Sequence, residues 1–153
     1  MRAWRLCRAA HVTDGLNGNG GFHAPGRWHY QGHRVVYASA TLSLAALESL
    51  VRVGRGLTPP DLAAVEIDIP DSIEIERIAP TTLPAGWDAF PAPAFTRQRG
   101  TDWIAAKRTA ILEVPSAIIH HERNYLLNPA HSRFGRVRVV SHAPFSFDAR
   151  LMA

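Results

Sequence analysis

A carboxylate set near the end of an apolar run is the first residue of this chain that asks for chemistry. In "TLSLAALESL", Thr41 to Leu50, Glu48 follows leucines and alanines. At about 100° per residue, Leu42, Leu44, Ala46, Leu47, Leu50 and Val51 cover one broad helical arc, and Glu48, Ser49 and Arg52 take the remainder. Glu48 therefore borders the apolar face. Two roles fit that place: an exposed ion pair with Arg52 one turn on, worth about 0.2–0.5 kcal/mol, or an acid standing where the core ends and a cleft begins.

Other residue types with chemical potential are scattered more loosely. "HVTDGLNGNGGFHAPGRWHYQGH" carries six glycines and one proline. It has neither the spacing of a dinucleotide fingerprint nor a following Walker lysine. Of the eight histidines, His120 and His121 are neighbours in a segment that reads as a strand and would point to opposite faces. "HHERN" is not HExxH, so no metal site is expected. His120, Glu122 and Arg123 supply the base, acid and cation types of a metal-independent ribonuclease, without a diagnostic spacing. Ser116, after Pro115, lies outside any GxSxG elbow and reads locally as a turn hydroxyl. Cys7 is the single cysteine; it reads as a small buried hydrophobe rather than a disulfide or zinc ligand.

The elements that must position these residues follow from pattern. With 153 residues, 46% of them hydrophobic, the chain fits one compact domain, 1–153. "AWRLCRAA" reads as a first strand. The glycine-rich segment excludes regular structure over most of its length, and a long loop of that kind inside a compact domain is more often functional than idle. "RVVYASA" is a strand, and "TLSLAALESLVRVG" a helix with Thr41 as N-cap and Gly54 as its stop. "AAVEIDIP" and "SIEIERIA" alternate with the two-residue period of half-buried antiparallel strands. "TTLPAGWDAFPAPAFTRQRG" reads as a proline-rich surface connection, and "TDWIAAKRTA" as a helix opened by Thr101 or Asp102. "AILEVPSAIIHH" is strand-like, "NYLLNPAHSRF" a structured loop, "GRVRVVSH" an alternating strand and "APFSFDARL" an extended tail. About six strands and two or three helices, mostly antiparallel, make an α+β fold.

Charge and targeting narrow the function classes. Seventeen Lys and Arg against thirteen Asp and Glu give a net charge of +4, and Lys107 is the sole lysine. Arginine suits bidentate contacts to phosphate or carboxylate, a hint of an anionic ligand or acidic partner. No basic cluster interleaved with aromatics marks a nucleic-acid surface. Neither a signal peptide nor a run of about 18 apolar residues is present, which reads as a soluble, cytoplasmic protein without a membrane role.

The order of several segments carries more than any one of them. "WRL", "GGFHAPGRWHYQGHRVVYAS", "SLAALESL", "VPSAIIHHERNYLLNPAHSRF" and "FSFDARL" together resemble the RES domain family, the toxin half of RES–Xre toxin–antitoxin systems, from Trp4 to Leu151. The resemblance implies an ADP-ribosyltransferase-like fold and action on NAD as substrate: hydrolysis or phosphorolysis of the nicotinamide–ribose bond, or transfer of ADP-ribose to a protein. It places the catalytic positions at Glu48, Arg27, Tyr37 and Ser116. NAD contacts fall on Arg5, Arg27, Trp28, Tyr37 and Ser116. The chain departs from the family pattern at His29, where many relatives carry asparagine. A cognate Xre-type antitoxin that blocks the active site is the implied partner, with no metal and no direct nucleic-acid contact by the toxin itself, and with room for a homodimer in a larger assembly. On this resemblance, catalysis by Glu48 displaces the surface-pair reading.

Overall fold

The computed structural model describes residues 1–54 and 56–153. Seven strands form one mixed sheet: β1 (Arg2–Arg8), β2 (Val36–Ser39), β3 (Leu62–Asp68), β4 (Ile75–Arg77), β5 (Ile111–Pro115), β6 (Arg123–Leu127) and β7 (Arg138–Phe145). Their order across the sheet is β4-β5-β6-β2-β1-β3-β7. The helices are α1 (Asn19–His23), α2 (Leu42–Val53), α3 (Ala94–Ala106) and α4 (Ala149–Met152). This is the expected α+β class, and all pairings but one are antiparallel. The exception is β4 with β5, which run parallel. Parallel neighbours need a long crossover, and the stretch between them contains α3.

Both faces of the sheet are covered. One core cluster gathers Ala3, Val36, Ala38, Val65, Ile67, Ile111 and Leu127; the other gathers Trp28, Val35, Trp87, Trp103, Ile104, Leu112 and Leu126. Successive residues of one strand go to opposite clusters, as with Ile111 and Leu112 or Leu126 and Leu127, all four fully buried. That placement explains the segment "NYLLNP", which reads as a loop yet forms the interior strand β6 between β5 and β2. A strand buried on both faces shows no alternation.

Three further expectations are corrected. The helix expected from Thr101 begins at Ala94 and ends at Ala106, with Lys107 closing it in the left-handed region at φ 51°. Gly100, which reads as a break in the sequence, lies mid-helix because a Cβ there would come within 1.7 Å of the Trp28 carbonyl oxygen. The proline-rich connection is only partly superficial: Trp87 is buried and packs with Trp28, ring centroids 6.4 Å apart. The strand expected to hold His120 and His121 is a turn between β5 and β6.

α2 packs on β1 and β2. Thr41 caps it as expected, its hydroxyl accepting from the Leu44 N–H at 3.1 Å. The face buried is narrower than the apolar arc, however. Leu44, Ala45 and Ser49 are buried, whereas Leu47 and Val51 are exposed. The helix is rolled so that its Glu48 and Arg52 edge faces the interior of a cleft.

Candidate active site

The cleft opens where the sheet is weakest. β1 and β2 share a single paired position, Trp4 with Ser39, whereas β1 is matched with β3 along its whole length. The strands separate beyond that point, and a cavity of about 280 Å³ lies among Arg5 of β1, Tyr37 of β2, Glu48 and Arg52 of α2, Arg27 of the preceding loop and Asn124 of β6.

Glu48 is held there by directed hydrogen bonds. Its Oε1 accepts from the Ser116 hydroxyl at 2.9 Å and from the Asn124 amide at 2.6 Å. Asn124 is itself oriented by the Ser39 hydroxyl, which donates to Oδ1 at 2.6 Å. Ser116 is fully buried, and its oxygen accepts from the Ile118 and Ile119 N–H groups at 3.1 Å each. The one donor and two acceptor positions of that hydroxyl are thus taken up by Glu48 and the turn backbone. Among the described residues, Oε2 of Glu48 accepts no bond and no ion pair joins Glu48 to Arg52. The exposed pair of the local reading is absent; Arg52 lines the cleft instead.

Arg27 stands at the tip of a tight turn closed by a bridge between Gly26 and His29. Its guanidinium donates to the carbonyls of Trp87 and Ala89, both at 2.9 Å. Burial lowers its pKa, and Glu48 and Asp88 counter that effect. Trp28, next in the chain, lines the cleft wall, but its side chain is only 2% exposed and belongs to the core. Within the core it packs against Trp87.

Arg5 is the most unusual charge. It lies on β1 between Ala3 and Cys7, two residues from each and so on their core-facing side, and desolvation lowers its pKa. Among the described residues its Nε is buried without a hydrogen-bond partner. A buried polar atom without a partner is costly; the guanidinium's side-chain hydrogen bond and charge interaction with Cys7 offset only part of the desolvation.

Tyr37 lines the same cleft, and burial pushes its phenol well above the usual range, so it stays neutral. Its oxygen accepts from the Trp28 N–H at 3.2 Å and lies 2.8 Å from Nδ1 of His29.

The structure thus brings together Glu48, Arg27, Tyr37 and Arg5, with Ser116 behind Glu48 and Trp28 in the adjoining wall. Asn124 and Ser39 escaped sequence reasoning. Asn124 follows Arg123 in the segment read as a loop, and only its identity as the register partner of Ser39 brings it to α2. The residues considered for a ribonuclease do not converge on one empty position. His120 pairs with Asp88 at 3.0 Å, Glu122 accepts from Thr41 at 2.9 Å, and Arg123 donates to the carbonyls of His120 and Glu122. Among the described residues, no group of His, Cys, Asp and Glu could hold a metal ion, and no helix is long and apolar enough to cross a membrane.

Fold and site together define an α+β domain with a carboxylate and arginines gathered in one cleft beside its sheet. The RES domain family model matches residues 2–148, so the chain belongs to the RES domain family. It is 36% identical to a protein of Sphingobium sp. (strain YBL2) named "Prs ADP-ribosylating toxin", over 97% of this chain and 95% of that one. It is likewise 36% identical to "Toxin Res" of Photorhabdus laumondii, over 99% and 97%. Among solved structures it is similar in fold to a chain of the M. tuberculosis MbcT–MbcA toxin–antitoxin complex, with a TM-score of 0.76 over 95% of this chain and 84% of that chain, at 13% identity.

Proposed function

We propose that this protein is a toxin that consumes NAD by cleaving its nicotinamide–ribose bond, with water or phosphate as acceptor. The observation that carries the reading is the pairing, in one cleft, of a fixed carboxylate with one oxygen unbonded and an arginine whose Nε is, among the described residues, buried without a hydrogen-bond partner. As the neutral nicotinamide leaves, positive charge grows on the ribose ring. A carboxylate beside that ribose stabilises the transition state more than the ground state. Glu48 fills this role, its Oε1 anchored by Ser116 and Asn124 so that Oε2 needs no reorientation when charge develops.

The remaining residues take complementary parts. NAD carries two phosphate charges, and Arg5 and Arg27 are the cations placed to meet them in a water-poor cleft. The nicotinamide ring is flat and cationic until cleavage, and the Tyr37 face attracts such a ring. Ser116 serves catalysis through Glu48.

A second reading, transfer of ADP-ribose to a protein, is favoured by the name of the Sphingobium relative. Both readings share every step up to capture of the ribose cation and differ only in the acceptor. As partner we propose an antitoxin of the Xre type that covers this cleft, in line with the toxin–antitoxin complex of the structural neighbour.

The test is incubation of the purified protein with NAD, with and without phosphate, and chromatography of the products. Free nicotinamide is expected, accompanied by ADP-ribose, its 1-phosphate or a modified protein; absence of nicotinamide in every condition overturns the reading. Glu48→Gln keeps the hydrogen-bond acceptor but removes the charge, and is expected to lower release by about a thousandfold, the scale of losing one preorganised electrostatic group. An active Glu48→Gln protein would remove Glu48 from catalysis.

A further inference from the structure

The link between His29 and Tyr37 fixes where each proton sits. Nε2 of His29 lies 2.8 Å from the Gly21 carbonyl oxygen. A carbonyl only accepts, so Nε2 carries the hydrogen. His29 is 1% exposed, and burial lowers its pKa, keeping the ring neutral. Nδ1 is then a bare lone pair, and the hydroxyl 2.8 Å away donates to it. The Trp28 N–H, 3.2 Å from the same oxygen, approaches one of its lone pairs. The phenolic proton of Tyr37 is thereby committed inside the protein.

A glycine enforces this arrangement. A Cβ on Gly26 would come within 2.6 Å of the Tyr37 hydroxyl oxygen and 3.1 Å of His29 Nδ1. The backbone of the glycine-rich loop therefore closes over the His29–Tyr37 bond itself, which gives that segment a task other than cradling phosphate.

We propose that His29 is a positioning residue for Tyr37: its Nδ1 takes the phenolic proton, so that Tyr37 meets the ligand with its ring and donates no hydrogen bond to it. The assignment rests on the reading of the cleft as an NAD site only for its kinetic consequence; the proton placement stands on the hydrogen-bond geometry and the burial of His29.

Two measurements on the full chain test it. In protein labelled with ¹⁵N-histidine, long-range proton–nitrogen spectra at neutral pH are expected to show His29 neutral, with hydrogen on Nε2 and none on Nδ1. A proton on Nδ1 overturns the proposal, whether or not the protein turns over NAD. The second is a double-mutant cycle on nicotinamide release, with Tyr37→Phe, His29→Leu and both together. Each single change removes the same bond and is expected to lower kcat/KM about tenfold, chiefly through KM, on the scale of one neutral hydrogen bond. Because the bond is shared, the double variant is expected to lose no more than about twofold beyond either single one.

Full additivity overturns the proposal, as does a Tyr37→Phe loss as large as that of Tyr37→Leu, which removes the ring. His29→Asn places an amide atom where Nδ1 stands and is expected to restore activity to within about threefold of the parent, a rescue that bulk packing by leucine does not give. Should His29→Leu fail to fold, the Tyr37→Phe to Tyr37→Leu comparison and the spectra still decide. A parent protein that releases no nicotinamide would fell the NAD reading and leave the spectra to judge His29.

Discussion

Arg5 and Glu48 face the same cleft under opposite conditions, and the contrast shows what a site residue costs. Glu48 is anchored: two donors meet one of its oxygens. Arg5 is not, with Nε buried and, among the described residues, unbonded. Leaving a buried polar group without a partner costs about 1–3 kcal/mol, a penalty that an anion bound there would relieve. Arg5→Met removes the charge while keeping a flexible apolar stem of similar reach. We expect this variant to be more stable than the parent in thermal unfolding without ligand, and its KM for NAD to rise by at least about tenfold, a 1.4 kcal/mol loss of binding. A variant that is less stable and binds NAD as before would show that Arg5 is a structural cation. Stability gained together with binding lost is the mark of a residue kept for its ligand.

Among the elements, legibility tracked exposure. The second half of β3 can be read directly, because Val65 and Ile67 are buried while Glu66 and Asp68 between and beyond them reach solvent, and α2 can be read from its cap and stop residues. β6 cannot, since Tyr125 and Leu127 face one core and Leu126 the other. The start of α3 is hidden from the sequence because Gly100, a helix-weakening residue by intrinsic preference, is demanded by tertiary contact. The roll of α2 was hidden too: Leu47 and Val51 point outward, so local amphipathicity gave the wrong face, and only the order of motifs along the chain promoted Glu48. Asn124 could have been suspected as a polar residue at the start of an apolar run, but its partner on α2 is 76 residues away. The Gly100 contact makes a sharp prediction. A methyl group there meets the Trp28 backbone at 1.7 Å, and neither rigid element can yield as a flexible side chain would. Gly100→Ala should therefore destabilise the fold by about 3 kcal/mol or more, even though alanine is the better helix former. A drop in denaturation midpoint, with nicotinamide release falling in parallel as Arg27 and Trp28 shift, is the expected result; an unchanged midpoint would mean that α3 docks differently.

At the scale of the whole molecule, the buried His29–Tyr37 pair ties stability to pH on both sides of neutrality. His29 sits among the Gly21 and Ala24 carbonyls, which favour its protonated form, and near His33 and Arg97, which oppose it together with burial; burial dominates and its folded pKa is lowered. Below the unfolded value of about 6.5, the unfolded chain takes a proton that the folded one refuses, so stability falls as pH drops towards the folded pKa. Tyr37 acts at the other end. Burial raises its folded pKa, against the smaller effects of the Trp28 N–H and of Arg52, Arg27 and Arg97. Above the unfolded value of about 10, the unfolded chain releases a proton that the folded one keeps, and stability falls again as pH rises. Each slope approaches about 1.4 kcal/mol per pH unit for one proton. Urea midpoints from pH 5 to 11 should thus form a plateau with two flanks, on top of whatever the exposed carboxylates add at the acid end. His29→Asn should flatten the acid flank and leave the alkaline one, and Tyr37→Phe should leave the acid flank and reduce the alkaline one, to which Cys7 and Tyr125, both also raised by burial, contribute. An alkaline flank unchanged by Tyr37→Phe would assign it to those groups. Because both side chains also line the cleft, the pH range over which the fold is most stable is the range in which the site keeps its neutral histidine and its protonated phenol.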